Sequence, residues 1–181
     1  MKRGAEMELC LLRHGIAADL YEDGVMRDAD RPLTKEGWEL MREEARGMRR
    51  LGLKFDYIFT SPYRRTLETA QAVTKELEFA DERVISLDSL ASGRPFEHAL
   101  NRKAEVFVNM GAYTFERALV VGHMPDVSEM VSVLLAGGGG VNVEFKKGAL
   151  CAIKISELPP RAPGVLLWAL TPKQLRLIAK S

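Results

Sequence analysis

Three short clusters hold the residues best suited to chemistry. They are Arg13-His14-Gly15, Ser61-Pro62-Tyr63-Arg64-Arg65 with Thr69-Ala70 behind it, and Gly122-His123-Met124-Pro125. An imidazole is neutral in good part near pH 7, so His14 can attack an electrophile such as phosphorus without a separate activating base. Arg13 beside it offers a planar fork of donors that matches phosphate oxygens. Gly15 lets the backbone turn sharply and approach a ligand closely. In the second cluster a helix N-terminus and an arginine can share one anion site. The same residues also read as a capped helix start with two solvated arginines. Arg64 and Arg65 point in different directions, so at most one of them need face a pocket. His123 alone is evenly balanced between a structural and a functional role, and its place after a buried strand favours function.

The elements that must position these clusters can be read from the pattern around them. Met7–Leu12 is a nearly continuous apolar run, suited to a central strand covered on both faces. His14 to Thr34 is polar and irregular and reads as a long functional loop. Thr34 is a good N-cap for a helix whose buried stripe is Trp38, Met41, Ala45 and Met48, with Gly52 as its stop. Asp56–Thr60 reads as a strand. Ser61 then caps a helix with Pro62 at its first position and Leu67, Ala70, Val73 and Leu77 on its buried face.

Arg83–Leu87 suggests a short strand, Phe96 to about Met110 a helix, and Ala118–Val121 a buried strand. Val127, Met130, Val131 and Leu134 form a further helical face. Gly137–Gly140 ends that helix as a mobile turn, because no helix start follows to make it a phosphate cradle. Leu150–Ile155 and Val165–Leu170 read as the last strands, and Pro172 opens a short helix. Strands alternating with helices predict an α/β fold, a three-layer αβα sandwich with a mostly parallel central sheet. Ligands bind such sheets beyond the carboxyl ends of the strands. Arg13-His14-Gly15, Ser61-Pro62, Asp88 and Gly122-His123 all follow strand ends.

The composition restricts the partners. The 26 Lys+Arg nearly balance the 25 Asp+Glu, so bulk electrostatics predict neither a nucleic-acid nor a membrane surface. Residues 1–181 are enough for one domain with a full hydrophobic core. Cys10 and Cys151 each sit in a strand-like run without CxxC or metal-ligand spacing, and read as small buried side chains in a reducing compartment. No apolar stretch of signal-peptide or membrane-spanning length occurs, and the expected location is cytoplasmic.

The three clusters, in this order and each at a strand end, resemble the histidine phosphatase superfamily, also called phosphoglycerate mutase-like. Arg13-His14-Gly15 matches its RHG signature. Ser61-Pro62-x-x-Arg65 with Thr69-Ala70 matches its SPxxR…TA segment, and Gly122-His123-x-Pro125 its GHxP segment. The similarity spans the chain from the first strand to the Trp168–Leu175 region. The short length and the stretch Asp30-Arg31-Pro32-Leu33-Thr34…Gly37 resemble the small phosphohistidine phosphatase branch.

The resemblance implies that His14 becomes phosphorylated and that Arg13, Arg65 and His123 surround the phosphoryl group, their positive charge stabilising the transferring oxygens. It selects Arg65 over Arg64. It also places Gly15, Ser61 and Arg31 on the substrate side, and implies no metal or other cofactor. Larger members of the family carry a glutamate general acid between the second and third clusters. Here Asp88 and Glu97 fall in that stretch, and Asp88 is the best acid candidate, while His98 reads as a surface residue. The expected activity is hydrolysis of phosphohistidine on proteins through a phosphohistidine at His14. The alternatives are a small-molecule phosphomonoesterase or phosphoglycerate mutase-like enzyme, and an inactive phosphate- or metal-binding module.

Overall fold

The computed structural model describes residues 6–21, 24–92, 99–138 and 140–181, with backbone alone for 99–103. Six strands form one sheet: β1 (Met7–Arg13), β2 (Tyr57–Thr60), β3 (Val84–Ser86), β4 (Arg117–Gly122), β5 (Leu150–Ile155) and β6 (Val165–Leu170). Their order is β3-β2-β4-β1-β5-β6. The first four run parallel; β5 pairs antiparallel with both β1 and β6. The mostly parallel sheet read from the sequence is therefore present, with an antiparallel edge that periodicity alone did not reveal.

Alternate residues of each strand face opposite layers. Leu9 and Leu11 of β1 and Ala118 and Val120 of β4 pack under α3 (Ala99–Met110) and α4 (Asp126–Ala136). Cys10, Leu12, Leu119 and Val121 face α1 (Lys35–Arg50), α2 (Arg64–Leu77) and α5 (Pro172–Lys180). Leu9, Leu11 and Leu12 are wholly buried, each contributing roughly 1.5–3 kcal/mol from the removal of apolar surface from water. The central stretches of β1 (Leu9–Leu12) and β4 (Ala118–Val121) are continuously apolar because both faces are covered. Cys10 and Cys151 lie in this core as free thiols, and burial pushes the Cys151 thiol up to about 12. Among the described residues, no helix is long and apolar enough to cross a membrane.

Helix ends largely follow local chemistry. The Thr34 side chain accepts from Gly37 N at 2.9 Å and starts α1. Thr171 and Gln174 form a reciprocal capping box at α5, with Pro172 in its first turn. Gly137 ends α4 in the left-handed conformation, at φ +70°; of the remaining glycine run, Gly139 lies outside the described residues. Two expectations for α2 need correction. Ser61 does not cap it and Pro62 lies outside it, because the helix starts at Arg64 while the Ser61 hydroxyl contacts His123 and accepts from Tyr63 N. Leu67 is 40% exposed. The face turned inward instead carries Arg65, Thr66, Thr69, Ala70 and Val73, so polar residues occupy positions that an apolar periodicity assigns to Leu67.

Candidate active site

Strand register gathers the three clusters. Arg13 is level with Gly122, and Thr60 with Val121. The parallel ladder continues one step further, with His14 N donating to Gly122 O at 3.0 Å and Ser61 N to Val121 O at 3.2 Å. His14, Ser61 and His123 therefore leave the sheet side by side at one edge. The His14 and His123 ring centroids are 5.2 Å apart.

His14 is 7% exposed. Its Nδ1 lies 2.7 Å from Gly15 O. A carbonyl oxygen can only accept, so Nδ1 carries the proton and Nε2 keeps its lone pair. Burial, aided by the charges of Arg65, Arg13 and Lys147, pushes the imidazole down to about 4 even though the Gly15 bond works the other way. His14 is thus neutral near pH 7. Gly15 N donates to Thr69 Oγ1, which itself donates to Arg65 O, so α2 fixes the turn after the histidine. A side chain at Gly15 would run into Met41 of α1, so the glycine lets this turn pack against that helix.

Arg65 is 5% exposed and held on three sides. Its Nε donates to His123 Nδ1 at 3.2 Å, Nη1 to Asp28 O at 2.6 Å and Nη2 to Asp28 Oδ2 at 2.9 Å. Its guanidinium also stands 5.1 Å from the Tyr63 ring centre. Arg64 points away and pairs with Glu68 at 2.7 Å. Adjacent residues of one helix thus have opposite surroundings, as the family spacing implied.

His123 is 1% exposed. Since Nδ1 accepts from Arg65, Nε2 carries the proton and donates to Ser61 Oγ at 2.8 Å. Burial, then the charges of Arg65 and His14, push His123 down to about 3. This corrects the expectation that His123 brings positive charge. It is a neutral imidazole with both nitrogens engaged, and the cationic groups at the site are Arg13 and Arg65. Ser61 is wholly buried and engaged by His123.

Asp28 is the site residue that sequence reasoning missed. It lies in a 3-10 turn, Asp28–Asp30, within the loop after His14. It also accepts from Arg31 Nη1 at 3.0 Å, so Arg31 and Arg65 share it. Burial tends to raise its carboxyl, but hydrogen bonds from Arg31 and Arg65 outweigh this and hold it below the usual carboxylate range. Arg31 is further anchored to Ala18 O at 2.6 Å and stands 3.5 Å from Asp19, so it reaches the cluster through Asp28. A signal existed in the sequence: Asp28 stands three residues before Arg31, a spacing that suits a local ion pair.

Arg13 anchors through Nη1 to Phe145 O at 2.6 Å, and its Nε is buried without a partner. Asp88 is exposed at the start of a short 3-10 turn after β3, with no hydrogen bond to His14, Arg65 or His123. Glu97 and His98 lie outside the described residues.

A sequence model of the histidine phosphatase superfamily (branch 1) matches residues 9–124. An uncharacterized protein of Picosynechococcus sp. is 32% identical over 149 residues, covering 82% of this chain and 85% of that one. The chain belongs to the histidine phosphatase superfamily. Among solved structures, the protein histidine phosphatase SixA complexed with tungstate superposes with a TM-score of 0.76 at 23% identity, over 93% of this chain and 99% of that one. A putative alpha-ribazole-5'-P phosphatase from Escherichia coli gives 0.69 at 18% identity, over 88% and 94%. At these identities the structural likeness is one of fold.

Proposed function

We propose that this histidine phosphatase superfamily member hydrolyses phosphohistidine on proteins, with His14 as the nucleophile. The Nε2 lone pair of His14 attacks phosphorus, the P–N bond of the substrate breaks, and the departing imidazole takes a proton. Water then attacks phosphorus on His14, the second P–N bond breaks, and inorganic phosphate leaves with His14 neutral again. Arg13 and Arg65 stabilise the charge on the transferring oxygens. Gly15 fixes the tautomer of the nucleophile. His123 and Ser61 hold Arg65 in line, and Arg31 acts through Asp28.

One observation carries the substrate class. Among the described residues, the carboxylate joined to this cluster is Asp28, which is bound by two arginines and held ionised, so it is a poor proton donor. An alkoxide leaving group needs a positioned acid, whereas imidazole leaves with little help. Activity should therefore follow leaving-group quality. A phosphohistidine protein is expected to turn over fastest, aryl phosphates more slowly, and 3-phosphoglycerate hardly at all. Rapid turnover of 3-phosphoglycerate with the phosphohistidine protein untouched would overturn this reading in favour of a mutase-like one.

A further inference from the structure

Tyr63 is set apart from the rest of the second cluster by where its backbone leaves it. It is the N-cap of α2, with an extended backbone at φ −70° and ψ 139°. Its carbonyl accepts from the N–H groups of Thr66 and Leu67 at 2.9 and 3.1 Å, which starts the helix. Residues two apart on one helix do not face each other. Tyr63 lies just outside the helix, so its ring is free to fold back towards Arg65. The guanidinium carbon stands over that ring, 5.1 Å from its centre.

The same ring lies 5.1 Å from the His123 ring centre, tilted by 60°. These are distances at which an aromatic face attracts a cation and two tilted rings pack. At its far end the phenolic hydroxyl donates to Ser92 O at 2.5 Å. Ser92 follows the 3-10 turn Asp88–Leu90 beyond β3. The residue is thus held at both ends, by the start of α2 and by this turn. Arg65 is 5% exposed and His123 1%, whereas Tyr63 is half-buried, so the tyrosine is the outer member of the trio.

The hydrogen bonds of Arg65 to His123 and Asp28 all leave the edge of its guanidinium, because its donors point outward in one plane. An aromatic ring over one face opposes a tilt out of that plane. It also keeps water from that face, which strengthens the charge acting on a ligand. We propose that Tyr63 is a positioning residue whose ring holds Arg65 and His123 in the arrangement that meets the transferring phosphoryl group. The inference rests on the reading of Arg65 as a phosphoryl-stabilising group, and it holds for any phosphoryl donor. The hydroxyl has a separate role, which is to fasten the ring to Ser92.

The test compares Tyr63→Phe, which keeps the ring, with Tyr63→Leu, which keeps apolar bulk without an aromatic face. Tyr63→Met takes the place of the leucine variant if that one does not fold. With an aryl phosphate, Tyr63→Leu should lower kcat about tenfold and change KM less than about twofold, because the alignment of Arg65 counts in the transition state. Tyr63→Phe should restore kcat to within about threefold of the parent. Vanadate binding, read by calorimetry without turnover, should weaken about tenfold in Tyr63→Leu and less than about threefold in Tyr63→Phe. In an Arg65→Ala background, Tyr63→Leu should cost less than about twofold more.

A tyrosine that only supports the fold would lower the urea midpoint of the variants and leave kcat, KM and vanadate affinity per folded molecule unchanged. That result would overturn the inference. So would equal losses in the two variants, or a full effect of Tyr63→Leu in the absence of Arg65. If the vanadate pattern holds and a phosphohistidine protein is not hydrolysed, the positioning role stands and the substrate reading falls.

Discussion

The two sides of the candidate site are built differently. On the strand side, His14 and His123 are set by a parallel ladder that runs one step past the ends of β1 and β4. Their positions depend on backbone hydrogen bonds and on a core buried on both faces of the sheet. On the loop side, Arg65 is set by side chains: Asp28 at one end of the guanidinium, His123 at the other, and Arg31 behind Asp28. The strand side fixes where the nucleophile is. The loop side fixes where the charge is, and a rotamer change could undo it.

Substitutions on each side should separate these roles, the largest loss coming from the nucleophile. His14→Ala should abolish turnover, since no second group on the strand side can take the phosphoryl group: both nitrogens of His123 are engaged. Acid-labile phosphate trapped on the parent enzyme should map to His14. Near-normal activity of His14→Ala would remove the strand side from the mechanism altogether.

Next in size is the charge. Arg65→Ala should lower kcat/KM by ~10²–10³, the usual cost of losing a transition-state donor. Arg64→Ala, which gives up one exposed pair with Glu68, should change it less than about twofold. Equal effects would mean that the pocket lies elsewhere on α2. Asp28→Asn tests the loop side itself. It leaves Arg65 its charge but weakens its tether, so a loss of about tenfold is expected, falling on kcat more than on KM. In an Arg65→Ala background, the same change should cost little, because the two act as a unit. Independent effects of the two changes would show that Asp28 does not position Arg65.

The same division governs what could be read from the sequence. The strand side was legible because continuous apolar runs mark covered strands and ligands bind beyond their carboxyl ends, where Arg13-His14-Gly15 and Gly122-His123 stand; the register that puts them side by side came only with the structure. Arg65 was distinguished from Arg64 by motif spacing, and the structure supplies the reason: one faces Asp28 and the other Glu68. Asp28 stayed hidden because its role depends on a loop conformation, which no periodicity encodes. The neutrality of His123 was hidden too, since it follows from burial at 1% exposure and not from residue type. Ser61 misled for a related reason: a serine before a helix is ordinarily a cap, and here a neighbouring strand brings His123 to its hydroxyl first.

The smallest expected effect concerns acid, and it distinguishes the two sides by pH. His14 and His123 are depressed to about 4 and about 3, against roughly 6.5 in an unfolded chain. Between those values the unfolded state binds protons that the folded state refuses. The stabilisation is therefore complete above pH ~6.5 and is lost as pH falls toward the folded values, at up to ~1.4 kcal/mol per pH unit for each histidine. Glu44 works in the opposite sense. Its folded value, about 7, lies above the usual carboxyl value, so the folded state takes up a proton first and gains stability as pH falls through 7. From pH ~6.5 to ~4.5 two groups destabilise and one stabilises. The net slope should be near that of a single histidine, ~1.4 kcal/mol per pH unit. Asp28, held below the usual range, keeps Arg65 tethered through this window, so the strand side should yield first. Urea midpoints measured from pH 7.5 to 4.5 should show this acid limb, and Glu44→Gln, which removes the opposing group, should steepen it about twofold. A midpoint flat down to pH 4.5 in both proteins would mean that the two histidines are not buried as neutral groups, and that the strand side is as open to water as the loop side.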